Sequence, residues 1–258
     1  MILRQAEGRP QTAMELKPLD PRRLYQQVAD QIRQFIQDRQ YAAGARLPSE
    51  RDLAQQLGVS RPSLREALIA LEIDGTVEIR MGSGIYLSND RGNRSQATGS
   101  FGESPSELMQ ARILIEGSSA LVAATRISDQ GLETLSDIIE GMEREIAAGR
   151  RPLELDRSFH LTIVTQSGNS VLERIVGSLF DERYSPIAEY LQNRTESEQS
   201  WLDALAEHRA ILNALEARDP LLAQASMQMH LDASRRRWTQ EDGAFTTRKV
   251  QPVAAASS

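Results

Sequence analysis

The sequence predicts a mainly α-helical protein: an N-terminal winged helix-turn-helix, made of three helices plus a small β-hairpin wing, followed by an all-α bundle of six to seven helices. Three observations predict it. Residues 40–87 carry helix starts and stops at short intervals, the leucines between them recur at helical spacing, and beyond residue 106 no segment alternates like a strand.

The first helix spans roughly 22–39, where Leu24, Val28, Ile32 and Phe35 with Ile36 recur along one face. Ser49, with Asp52 three residues on, opens a short second helix at about 50–57; Leu53 and Leu57 form its buried face and Gly58 ends it. After the tight Gly58-Val59-Ser60 connection, Ser60 caps a third helix at about 61–73. Pro62 sits in its first turn, where a missing N–H costs nothing, and Leu64, Leu68 and Leu71 run down one side towards Gly75. "TVEIR" and "IYL" are short β-prone runs joined by "MGSG", whose two glycines suit a turn that needs positive φ.

Residues 88–106 are rich in Ser, Gly and Asn and read as a linker. Helical segments follow at about 106–126, 129–148, 152–166, 169–192, 197–217 and 219–238. The breaks fall at Ser128, at Gly149 and Pro152, at Gly168 with Asn169 as N-cap, and at Asp219-Pro220. The expected division is a disordered leader over 1–17, the winged domain over 18–88, a linker over 89–105, the bundle over 106–240 and a disordered tail over 241–258.

A chain of 258 residues with 40% hydrophobic content has enough apolar surface for two modest cores, which excludes a wholly disordered protein. With no cysteine, disulfides and thiolate metal sites are excluded. The N-terminus lacks the apolar core of a signal peptide, and no run of about 18 apolar residues occurs, so a soluble cytoplasmic protein with no membrane partner is expected. The formal net charge is −6, yet residues 18–91 hold ten Arg against ten Asp and Glu, so the acidity belongs to the C-terminal part. Of the 30 basic residues only Lys17 and Lys249 are lysines, and arginine offers planar, bidentate donors for phosphate or carboxylate.

Two short helices joined by a three-residue turn form a helix-turn-helix, whose second helix lies in the major groove with its first residues on the base edges. Ser60, Arg61, Ser63 and Arg65 stand at that exposed start and are donors that phosphates and guanine edges accept. Arg51 opens the preceding helix within reach of the DNA, and Gly82 and Gly84 let the wing tip approach the backbone. Taken singly, each arginine is also explained as a solvated surface charge, with Arg65 able to pair with an acidic neighbour. The stretch "LPSERDLAQQLGVSRPSLREALIALEIDGTVEIRMGSGIYL" resembles the DNA-binding domain of the GntR superfamily of bacterial transcription regulators. The resemblance implies that Arg51, Arg61, Arg65 and Gly82 contact operator DNA. Met81 departs from the polar or basic residues common at that wing position, which puts base reading by its side chain in doubt.

Asp156 and His160 in "LDRSFHLTIV" are four residues apart, which stacks them on one helix face and suits two ligands of one ion. His208 and His230 are the remaining histidines. Each lies mid-helix beside an apolar stripe, Leu205/Ile211/Leu212/Leu215 and Leu222/Met227/Leu231, so both imidazoles can point inward. Any one of them is explained as a hydrogen-bonded buried histidine. Together, three imidazoles and a carboxylate on three helices suit Zn²⁺, Ni²⁺, Mn²⁺ or Fe²⁺ with positions left open, and the lack of sulfur argues against copper(I).

The run "DRSFHLTIVTQSGNSVL … EHRAILNALEARDP … MHLDA" resembles the FCD effector-binding domain of the FadR-like branch of the same superfamily. The resemblance implies that Asp156, His160, His208 and His230 hold a divalent metal, zinc first, with nickel, manganese or iron as alternatives. It also implies that a small carboxylate effector completes the coordination. Arg112 in "QARILIEG" is the candidate counter-charge and is equally placed as the i, i+4 partner of Glu116. The expected function is a metabolite-responsive transcription regulator, a repressor in the usual case, binding a palindromic operator as a homodimer and leaning towards sugar-acid effectors. Two other readings stay open: a metal-dependent enzyme on a small carboxylate, with Glu207 as a base, and a DNA-binding protein whose bundle only dimerises.

Overall fold

A computed structural model describes residues 23–80, 82–89 and 101–239. The leader over 1–17, Met81, most of the linker and the tail over 241–258 lie outside the described residues. Helices α1 (Leu24–Asp38), α2 (Glu50–Leu57) and α3 (Arg61–Ile73) precede strands β1 (Val77–Arg80) and β2 (Gly84–Leu87). Helix α1 buries Val28, Ile32 and Ile36 as its spacing requires, while Leu24 is half-exposed and Tyr25 takes its place in the core. Ser49 Oγ accepts the Asp52 N–H and Ser60 Oγ accepts the Ser63 N–H, at 3.3 and 3.2 Å, so both caps form. Between them Gly58 ends α2 at φ 66°, a left-handed conformation that a Cβ would penalise. Leu64, Leu68 and Leu71 of α3 are completely buried.

The hairpin pairs antiparallel, from Val77 opposite Leu87 to Arg80 opposite Gly84. Just before α2 a short extended segment adds to its edge: Arg46 bridges Tyr86, and the Leu47 N–H donates to the Ile85 carbonyl at 2.8 Å. One rung of sheet has no periodicity to read, which is why the sequence does not announce it.

The bundle comprises α4 (Pro105–Ala124), α5 (Asp129–Ala147), α6 (Leu153–Gln166), α7 (Ser170–Asp181), α8 (Pro186–Thr195), α9 (Glu198–Glu216) and α10 (Pro220–Thr239). The single helix expected over 169–192 is therefore two. A 3₁₀ turn at Glu182–Tyr184 ends the first part, and Ser185, extended at ψ 151°, hands over to α8 at Pro186. Proline lacks an N–H and disfavours helical backbone in the residue before it, so the chain turns there. Asn169 caps α7, its Oδ1 accepting the N–H groups of Val171 and Leu172 at 3.0 and 3.3 Å. Helices α4 and α10 pack with Gly117 facing Gln228; a Cβ on Gly117 would come within 2.6 Å of the Gln228 side chain. No helix of the described residues is long and apolar enough to cross a membrane.

The two parts share a core. Phe101, Ile187 and Leu191 are buried among the apolar side chains of the winged domain, so residues 101–104, expected in the linker, are packed against it. Glu72, near the end of α3, joins three elements: its Oε1 accepts the Ile79 N–H of β1 at 2.8 Å, and its Oε2 accepts the Tyr190 hydroxyl of α8 and lies 3.5 Å from Arg194 Nη1. Burial and the Glu72 carboxylate both push the Tyr190 hydroxyl well above its ordinary pKa, so it stays a donor. Tyr190→Phe removes one hydrogen bond to a charged, mostly buried acceptor and is expected to cost about 1.5–3 kcal/mol in urea unfolding. An unchanged midpoint would show the hydroxyl contributes nothing.

Candidate functional site

In the winged domain, Arg51 and Arg61 point into solvent at the starts of α2 and α3. Ser60 and Ser63, the cap of α3, lie between them with their hydroxyls 2.8 Å apart. Arg65 differs from the expectation of an exposed donor: its side chain is only 19% exposed, and its Nη2 donates to Glu50 Oε2 at 2.9 Å. It stands one turn into α3, where α2 covers it. Gly82 adopts φ +69° at the wing tip with open space where a Cβ would lie. Arg80 lies over the Tyr86 ring at 4.3 Å and pairs with Glu78; the strand pattern gave no hint of this wing cation.

The four expected metal ligands converge. One donor atom from each of Asp156, His160, His208 and His230 lies within 4.8 Å of all the others, and the three imidazoles are buried. His160 Nε2 lies 3.4 Å from His208 Nε2 and 3.3 Å from His230 Nε2, and His208 Nε2 lies 3.3 Å from Asp156 Oδ1. Two donors about 2.1 Å from one ion at a tetrahedral angle sit about 3.4 Å apart, so these three separations match a small divalent cation, with Asp156 Oδ1 3.8 Å from His160 Nε2.

The rings are held from behind. His160 Nδ1 faces Glu116 Oε2 at 2.5 Å and His230 Nδ1 faces Glu207 Oε2 at 2.8 Å. A proton donated there by a neutral imidazole leaves Nε2 as a bare lone pair, so two buried lone pairs face each other. His208 has no such support: its Nδ1 is buried without a hydrogen-bond partner among the described residues. Asp156 Oδ2 accepts from Arg183 on the 3₁₀ turn.

Electrostatics keep this arrangement ionised at the carboxylates and neutral at His230. Burial would raise the Glu116 carboxyl, but the Arg112 guanidinium and His160 outweigh it and hold it at about 2. Burial likewise opposes Arg237 and His230 at Glu207, which settles at about 2. Burial and the neighbouring His208 drive His230 down to about 3, and burial lowers His208 as well.

Arg112 forms the i, i+4 pair with Glu116 and lies on the wall of a cleft. It is buried, donates from Nε to Glu116 Oε1 at 2.6 Å, and stacks over Phe180 at 3.9 Å. It also lines a cleft together with Asp156, His208 and His230. The cleft continues past Arg183 to Glu196, Trp201, Arg237 and Trp238, none of which the sequence reading placed there. Of the inward stripe expected on α10, Met227 and Leu231 are buried but Leu222 is half-exposed. Glu207 has no free oxygen for base chemistry: Arg237 takes both, and His230 shares one.

A winged helix-turn-helix joined to a helical bundle with a charged cleft points to a DNA-binding regulator. Residues 24–87 match the gntR family of bacterial regulatory proteins, and residues 107–233 match the FCD domain. The chain is similar to the Exu regulon transcriptional regulator of Escherichia coli strain K12, 36% identical over 222 residues, 83% of each chain. It is similar to the Uxu operon transcriptional regulator of that organism, 33% identical over 83% of this chain and 86% of the other. It is also similar to the HTH-type transcriptional repressor NanR of Cronobacter sakazakii, 30% identical over 86% and 88%. A solved structure of Streptococcus agalactiae GntR is 30% identical, covers 82% of this chain and 99% of its own, and has a TM-score of 0.45. The chain belongs to the gntR family and carries an FCD domain; it is a transcription regulator and not an enzyme.

The shifts at this site all act in one direction with pH. Glu116 and Glu207 lie near 2 in the folded chain against 4.5 for the free group, so their stabilisation is present above about pH 4.5 and is lost as pH falls towards 2. His230 lies near 3 against 6.5, so the unfolded chain binds a proton first and stability falls from about pH 6.5 downwards. In chelator, the melting temperature is expected to fall continuously from about pH 7 to about pH 4, and a level profile would contradict these assignments.

Proposed function

We propose that the chain is a metabolite-responsive repressor that binds a palindromic operator as a homodimer and is released when a small carboxylate binds its bundle. The cation would be divalent, zinc first, with nickel, manganese or iron as alternatives, and would be held by Asp156, His160, His208 and His230. The observation that carries this reading is the convergence of three imidazole Nε2 atoms and one carboxylate oxygen on one point, with Asp156, His208 and His230 also lining the cleft that holds Arg112. An ion with positions left open supplies a Lewis-acidic anchor for an anion. Arg112, buried and fixed by Glu116, presents its guanidinium on the same wall.

The effector class follows from charge and from resemblance. A carboxylate matches the cation and Arg112, and the likeness to regulators of the Exu regulon and Uxu operon supports a sugar acid. On the DNA side, Arg51 and Arg61 would reach phosphates or bases in the major groove, with Ser60 and Ser63 at the helix start and Gly82 at the backbone. Arg65 would join them only by leaving Glu50. A homodimer places two recognition helices on half-sites about one helical turn apart. Helix α8 gives the effector a route to α3 beyond the linker and α4, because it touches the cleft at Thr195 and the winged core at Ile187 and Leu191.

A thermal-shift screen of small carboxylates with and without chelator tests the reading. A true effector is expected to raise the melting temperature only with metal present, by the mass action of binding to the folded state alone. His208→Ala is expected to abolish that shift and leave operator binding measurable in a gel-shift assay. Arg61→Ala is expected to do the reverse. Loss of DNA binding in His208→Ala with the effector shift intact would overturn the division of labour.

A further inference from the structure

The cleft has a second chemical end that neither the cation nor Arg112 accounts for. Glu196 lies at the junction of α8 and α9, its side chain only 11% exposed, and lines the cleft with Ser200, Trp201 and Trp238. Its Oε2 accepts the Trp201 Nε1–H at 3.3 Å and lies 3.5 Å from Arg151 Nε. Its Oε1 lies 4.0 Å from Arg183 Nη2, beyond hydrogen-bond reach. A carboxylate offers about four acceptor positions, so Glu196, which lines the cleft, keeps acceptor capacity beyond the Trp201 bond. Arg183 spans the gap, donating from Nη1 to Asp156 and facing Glu196 with Nη2. The metal end and the Glu196 end are thus one guanidinium apart.

We propose that Glu196 accepts hydroxyl groups of the effector, so that the cleft selects a polyhydroxylated monocarboxylate over a short 2-hydroxy acid. The inference rests on the carboxylate-effector reading above and deepens it. Like charge keeps the effector's carboxylate away from Glu196 and turns it towards the cation and Arg112. Its far hydroxyls then donate to Glu196, and the apolar C–H face of the carbon chain or ring lies against Trp201 and Trp238. A two- or three-carbon acid fills the metal end and gives Glu196 no donor beyond Trp201 and Arg151, so it forgoes the hydrogen bonds that a longer, hydroxylated acid makes.

Isothermal titration of the full-length, zinc-loaded protein tests this, with galacturonate and lactate as probes. The unmodified protein is expected to bind galacturonate the more tightly. Glu196→Gln, nearly isosteric, is expected to weaken galacturonate about tenfold or more while leaving lactate affinity and zinc content unchanged. Glu196→Asp keeps the charge but withdraws it, and is expected to weaken galacturonate to a smaller extent. Unchanged galacturonate affinity in Glu196→Gln, equal weakening of both acids, or no preference in the unmodified protein would overturn the role of Glu196 while the carboxylate reading stands. Unmodified protein that binds neither acid would overturn that reading, and this inference with it.

Discussion

Glu116 is a carboxylate with no solvent exposure, and burial alone would drive it to take up a proton. It stays ionised because Arg112 and His160 close on it from both sides, and that requirement organises the site. Arg112 is held in the cleft wall, His160 is oriented with Nε2 forward, and α4 is tied to α6. The same device recurs twice. Glu207 and Arg237 brace His230 between α9 and α10, and Arg183 braces Asp156 from the 3₁₀ turn. Three carboxylates are thus matched with three guanidiniums, so the environment is balanced before any ion enters. The charge of a divalent cation would then be uncompensated, and an anion is the ligand that compensates it.

Helix α8 belongs to both halves of the molecule. Its apolar side chains Ile187 and Leu191 complete the core of the winged domain, while its end at Thr195 and the following Glu196 form cleft wall. Interiors are close-packed, so α8 cannot be displaced at one end without repacking at the other. Glu72 sharpens the point, since one carboxylate holds α3, β1 and α8 together. A displacement of the α8–α9 junction would therefore be felt at α3, against which α8 is packed.

Much of this was legible in the residues. The caps at Ser49, Ser60 and Asn169 and the leucines of α3 are local signals, decided by neighbours three or four residues away. The four expected metal ligands also come together, because each sits on a helix whose apolar stripe turns it inward. What escaped were long-range pairings. Arg183, Arg237 and Glu196 carry no local signal in the sequence, and only the crossing of distant helices turns them towards the cleft. Glu116 was visible only as the i, i+4 partner of Arg112, and its second oxygen, on His160, is 44 residues away. The break before Pro186 had a local signal, the proline itself with the polar stretch 181–185 before it.

The winged domain has no net positive charge to draw it to DNA, with ten Arg set against ten acidic residues over 18–91. A protein without a broad basic face makes few counterion-releasing contacts, so its non-specific affinity is low and its operator affinity rests on how well a few groups are aimed. Arg51 and Arg61 are exposed at the helix starts, while Arg65 is paired with Glu50 and ties α3 to α2. Where affinity depends on aim, a small rotation of α3 removes a large share of it. Coupling between distant sites is typically worth about 1–3 kcal/mol, and an effector that acted by rotating α3 would need no more than that.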